Sequence, residues 1–146
     1  MPAIGLEVTR RTALFTLCAA RALAADAAQE VWDIVTTLAA ALGRGDAGEF
    51  FSVCDSAAPG YPVLRANILA LVAQADIESA IDPVRNSGDD RAREIVLDWQ
   101  LHLIDRSGLQ RVTRRSETVR CVLAKRGRNW KVVSLDPVGF FAPLSA

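Results

Sequence analysis

The sequence predicts an α+β domain in which three amino-terminal helices precede an antiparallel sheet. Three observations predict it. Apolar residues recur at three- and four-residue steps from Val31 to Val72, which is the helical period. From about residue 77 they alternate with polar ones, most clearly between Ile95 and Ile104, which is the strand period. Helices first and strands afterwards is the order of an α+β domain, and 146 residues leave room for one well-buried core rather than two.

Each element follows from its own residues. Between Asp26 and Leu42, the positions Val31, Ile34, Val35, Leu38, Ala41 and Leu42 form one helical stripe, which Gly43 and Gly45 end. Asp46 then caps a second helix, with Glu49 three positions on as the carboxylate form of a capping box and Phe50, Phe51 and Cys54 on the buried side. Residues 56–60 form a loop. The third helix starts near Tyr61, places Pro62 in its first turn, where a missing N–H costs nothing, and buries Leu64, Ile68, Leu71 and Val72.

The strands begin with a short edge strand from Ile77 to Val84, where Pro83 is tolerated, closed by the polar run from Asn86 to Asp90. In the strand from Ile95 to Ile104, Ile95, Leu97, Trp99, Leu101 and Leu103 face the core, while Val96, Asp98, Gln100, His102 and Ile104 face away. A turn from Asp105 to Gly108 leads into a long strand from Leu109 to Lys125. There Val119, Cys121 and Leu123 share the core face, and Arg114, Ser116, Thr118 and Arg120 the other. A last strand from Trp130 to Leu135 ends at Asp136 and Pro137, before an apolar tail containing Phe140 and Phe141.

The amino terminus reads as a targeting signal occupying residues 1–24. Arg10 and Arg11 precede a short apolar stretch, and Ala22, Leu23 and Ala24 supply the small-residue cleavage pattern; the arginine pair resembles a twin-arginine export signal. The apolar run from Thr12 to Ala20 falls short of the roughly 20 residues that span a bilayer, so no membrane anchor is expected after cleavage. The expected domain is 25–146 and its compartment periplasmic or extracellular. Such a compartment permits disulfides, so Cys54 and Cys121 either pair or remain two buried thiols.

Formal net charge is zero, and loss of residues 1–24 removes three arginines and one glutamate, leaving a mildly acidic domain. That balance lacks the basic stripe needed for nucleic acid and the polybasic patch needed for a membrane surface. Neither a nucleophile elbow nor a phosphate-binding glycine loop nor a dinucleotide fingerprint occurs, and no cofactor is expected.

The single histidine, His102, has no set of ligands at metal-binding spacing and lies by parity on the outer face, so no metal is expected. Arg115 and Glu117 share parity with Val119 and Cys121, so they carry charge onto the inward face. Such charges mark either a cavity mouth or an ion pair at the open end of the sheet. Trp32, Phe51, Tyr61 and Trp99 either line an apolar pocket with them or fill the core.

Three helices followed by a meander whose final strand carries Trp130 to Asp136 resemble the nuclear-transport-factor-2-like superfamily, with its SnoaL-like and ketosteroid-isomerase-like members, over roughly residues 26 to 143. The resemblance implies a strongly bent antiparallel sheet with the helices in its concavity, a cone-shaped α+β barrel. It also implies an apolar pocket at the wide end and a homodimer through the outer sheet face. The superfamily includes isomerases, cyclases, dehydratases and proteins without chemistry, so the fold alone assigns no activity. The expectation is an exported domain that binds a small apolar ligand in its cone without catalysis. One alternative is a small isomerase or cyclase with Glu117 as proton-transfer base and Tyr61 as donor. Another is a protein-interaction module that docks through the Phe140 and Phe141 tail.

Overall fold

Gly45, at φ +68°, stops the first helix, because only a residue free of a Cβ takes the left-handed position cheaply. The amides of Gly45 and Asp46 return to the carbonyls of Leu42 and Ala41 at 3.1 and 2.9 Å, closing the end of α1. In this computed structural model residues 25–145 are described, and α1 covers 25–43 of them. The expected signal segment, residues 1–24, lies outside the described residues. Next come α2 (Ala47–Ser52) and α3 (Tyr61–Gln74), then β1 (Ala75–Gly88), β2 (Ala92–Asp105), β3 (Val112–Arg126) and β4 (Asn129–Asp136), and a short 3-10 turn at Val138–Phe141. The fold is α+β, three helices against a four-stranded antiparallel sheet.

The Asp46 cap forms by half. Its carboxylate accepts the Glu49 amide at 3.0 Å, but the Asp46 amide is already taken by Ala41, and the Glu49 carboxylate turns to Arg44. Helix α3 buries Leu64, Ile68 and Leu71 as expected, with Pro62 in its first turn.

The strands run in the order β1-β2-β3-β4, an open meander rather than a closed barrel. Two register shifts, at Pro83/Arg85 and at Val122/Leu123, give the extra twist and bend by which such a sheet wraps helices. The first strand is longer than the short edge strand expected from Ile77 to Val84: it pairs with β2 from Ala75 to Gly88. Val84 slips out of the ladder as a bulge, so Pro83 interrupts the pairing without ending it. Gly88, at φ +134°, completes the hairpin where an added Cβ would stand 2.3 Å from the Ala92 carbonyl oxygen. The third strand starts at Val112 rather than Leu109, because residues 106–111 are used in the preceding loop.

The inward row of β2 is Ile95, Leu97, Trp99, Leu101 and Leu103, each fully buried with Val31, Val35, Leu38 and Leu42 of α1 and the α3 stripe. Trp99 is the centre of that layer. Its indole N–H donates to the Ser79 hydroxyl at 2.9 Å, and its ring meets Phe141 at 5.1 Å and Phe140 at 6.0 Å. Phe50 closes on Phe141 from α2 at 6.3 Å. Phe140 and Phe141, 4% and 0% exposed, are core, which counts against the alternative of a docking tail. Their rings are drawn in by the aromatic face of Trp99.

Strand β4 pairs with β3 only from Arg120 to Arg126. On its other side, the Val132 amide donates to the Val53 carbonyl and the Asp55 amide to the Val132 carbonyl, both at 2.8 Å, so residues 53–55 briefly extend the sheet.

Trp99→Ala should cost about 3–5 kcal/mol, the range for emptying an aromatic site in a core. Asp46→Ala, at a surface cap, should cost about 1 kcal/mol. Urea unfolding followed by tryptophan fluorescence and circular dichroism separates the two; equal costs would contradict this account of the core.

Candidate functional site

The loop between α2 and α3 is held open by its own polar groups. Asp55 accepts the Ala57 amide at 2.9 Å and the Arg126 Nε at 3.2 Å, the local carboxylate turn that short acidic side chains favour. The Ala57 amide first, then Arg126, keeps the Asp55 carboxyl below its ordinary range, so it stays ionised with its counter-charge beside it. Tyr61 opens α3 half-buried, its ring edge-on to Phe51 at 6.0 Å, and Phe51 in turn lies edge-on to Phe50 at 5.8 Å.

Between this loop, the first turn of α3 and β4 lies a hollow of about 420 Å³. Tyr61, Val63, Leu64, Val132, Leu135 and Val138 supply the larger side chains among its thirteen lining residues, which also include Asp55 and Ser134. Val63 is 54% exposed, a large apolar side chain at the rim. Among the described residues the Tyr61 hydroxyl has no hydrogen-bond partner, so its donor is free to meet a ligand. Cys54 forms part of the floor. Its thiol donates to the Phe50 carbonyl at 3.4 Å, and burial pushes its pKa up to about 12, which makes it a poor nucleophile. Cys121, fully buried, is pushed higher still by burial; both cysteines are free thiols.

The remaining expected site residues lie elsewhere. Trp99 is in the core, and Trp32 is half-buried at its margin. Glu117 stands opposite Trp99 in the β2–β3 register but is exposed, and it is not part of the hollow's wall. Arg115, opposite Leu101, is half-buried and donates to the carbonyls of Phe140, Ala142 and Pro143 at 3.0, 2.6 and 3.4 Å. Burial lowers its pKa, and three carbonyl dipoles take the place of a carboxylate. Of the six expected lining residues, the structure brings Tyr61 to the hollow with Phe51 against its ring. His102 is on the outer face, with Nδ1 3.4 Å from Glu78.

Residues 54–60, Val63 and β4 were absent from the expected lining. The available signal was α3 itself, in which Arg65 is the one charged residue of fourteen, too apolar for a helix with one face in water. Among the described residues no group of three or more His, Cys, Asp or Glu could hold a metal ion, and no helix is long and apolar enough to cross a membrane.

No family model and no curated protein matches the chain. Solved structures do. A nuclear transport factor 2-like superfamily protein from Salmonella enterica is similar over 84% of this chain and 94% of its own, with TM-score 0.66 and 13% identity. A conserved protein from Planctomyces limnophilus is similar over 73% of this chain and 91% of its own, with TM-score 0.66 and 11% identity. A protein with a cystatin-like fold from Nostoc punctiforme is similar over 75% and 90%, with TM-score 0.50 and 16% identity. At such identities the likeness is one of fold: the chain has the nuclear-transport-factor-2-like, cystatin-like α+β architecture.

Two outcomes follow from the groups around the hollow. Cys54 and Cys121 should be silent to a thiol reagent at pH 8 in the folded protein and should react together in denaturant; rapid labelling of either, located by peptide mapping that separates them from Cys18, would contradict their burial. Because Asp55 has a lowered folded pKa, it stabilises the fold above its unfolded value of 3.8, and that contribution is lost as pH falls through the folded value. Asp55→Asn should therefore be less stable than the parent at neutral pH, with the gap narrowing below about pH 4 in urea titrations.

Proposed function

We propose that the domain binds a small, neutral, largely apolar molecule in the hollow between α3 and β4, without chemistry. The observation that supports this most is the wall itself: apolar from both flanks, with the phenol of Tyr61 as a polar group to orient a ligand. A volume of about 420 Å³ suits a drug-sized molecule. Asp55 already has its counter-charge in Arg126, and its carboxylate repels an anionic ligand. The site belongs to the flank beside β4, because around Trp99 the concavity is filled by Phe140, Phe141 and Phe50.

A proton-transfer enzyme needs a carboxylate of raised pKa beside the Tyr61 donor. Glu117 is not in the wall, and Asp55 has its carboxyl lowered, so the lining supports binding over catalysis. We further propose that the chain is exported, on the arginine pair and small-residue pattern of residues 9–25.

Native mass spectrometry of the protein from its own host should report loss of the leader and a retained small molecule. In addition, a neutral apolar dye such as Nile red should gain fluorescence with the parent protein. Ala58→Phe, which fills the hollow from its loop, should abolish that gain while leaving the thermal midpoint within a few degrees. An equal dye response in Ala58→Phe would remove the hollow as the site.

A further inference from the structure

Strand β3 outruns β4. Pairing with β4 begins at Arg120, whereas pairing with β2 extends back to Val112, so residues 112–119 form a strand edge with no neighbour on one side. Apart from the ladder to β2, no backbone hydrogen bond among the described residues reaches this stretch. The carboxy-terminal tail does not cover it as a strand, since it is tied through the Arg115 side chain and through the Gln74 side chain to the Leu144 amide. Six of the eight residues are exposed, and Arg115 and Val119 are not. Every second residue therefore presents an N–H and a C=O to solvent, a template for another strand.

The side chains choose the occupant. Arg115 and Glu117 point to the same face two residues apart, with Ser116 between them. In an antiparallel pair of two copies related by a two-fold axis through Ser116, Arg115 of each faces Glu117 of the other, and Arg114 faces Thr118. The helical layers of both copies stay on one side only when the register moves by steps of two. A step either way sets Arg115 against its own copy or Glu117 against its own copy, and like charges directly opposed are unfavourable. One register is thus self-complementary, and a two-fold contact closes on itself.

We propose that the free edge of β3, from Thr113 to Val119, is the contact surface for a second copy of this chain, joining two four-stranded sheets into one. This is independent of the ligand proposal, and it gives Glu117 a role outside that hollow. It also differs from the outer-face dimer implied by the resemblance. On that face Glu94 is already clamped by Arg85 and Arg120, and Glu78 lies against His102.

Sedimentation velocity of the protein should show a reversible dimer. Glu117→Lys changes an exposed side chain on the inward face, so it should leave the thermal midpoint unchanged while weakening the dimer by about tenfold or more. Ser116→Cys should form an interchain disulfide under mild oxidation, because the two residues oppose each other at the axis. Thr118→Cys on the same face should not, since its opposite is Arg114. A monomer at all concentrations would overturn the proposal and leave the edge to an extended segment of another protein. A dimer indifferent to Glu117→Lys, or cross-linking equal at 116 and 118, would overturn it in favour of the outer face.

Discussion

Everything in this domain is organised by the burial of one strand face. Ile95, Leu97, Trp99, Leu101 and Leu103 each lose all contact with water, and no single neighbouring element is large enough to cover them. Helix α1, helix α3 and the aromatic turn after β4 each cover part. Trp99 is where these coverings meet, and a ring of its size commits 150–250 Å² of surface, roughly 4–6 kcal/mol by area. The indole N–H is a polar liability in such a place, and Ser79 on the neighbouring strand removes it. That one hydrogen bond ties the core to the β1–β2 register: Ile81 pairs with Trp99, and Ser79 stands two residues along on the same face.

Elements governed by local chemistry were legible in the sequence. Gly45 and Asp46 end one helix and begin the next through backbone geometry and a side-chain cap, neither of which needs a distant partner. The β2 row was legible because alternation over ten residues has one interpretation when one face is uniformly apolar. The first strand was misjudged at its length because Pro83 reads locally as an end. A bulge at Val84 is a tertiary solution, available because the long β2 offers pairing partners on both sides of the interruption.

The hollow was illegible for a different reason. Its two walls, residues 54–64 and residues 132–138, are some seventy positions apart and are joined by the parallel contact of Cys54 with Val132. Neither segment has a periodicity that announces a cavity; each reads as ordinary loop or strand. The expected lining was instead drawn from the largest aromatic side chains, and in a packed interior those go to the centre, where they fill space rather than border it. Phe50 and Trp99 illustrate the point, both fully buried, whereas the rim is made of Val63 and a tyrosine.

Arg115 shows how an inward charge is accommodated at the open end of the sheet, beside a hollow. Parity placed it correctly on the core face, and a guanidinium there must find acceptors or open the site to water. It finds three main-chain carbonyls at the turn after β4, acceptors that carry no sequence signature. The cation thereby holds the turn with Phe140 and Phe141 against the sheet, and it also borders a hollow of about 370 Å³ with Leu109, Thr113 and Leu144. Glu117, two residues away on the same face, is beyond the reach of that turn and remains in solvent. The same alternation therefore yields a structural arginine and an uncommitted glutamate, and what separates them is where the carboxy-terminal segment crosses the sheet, a property of the whole chain.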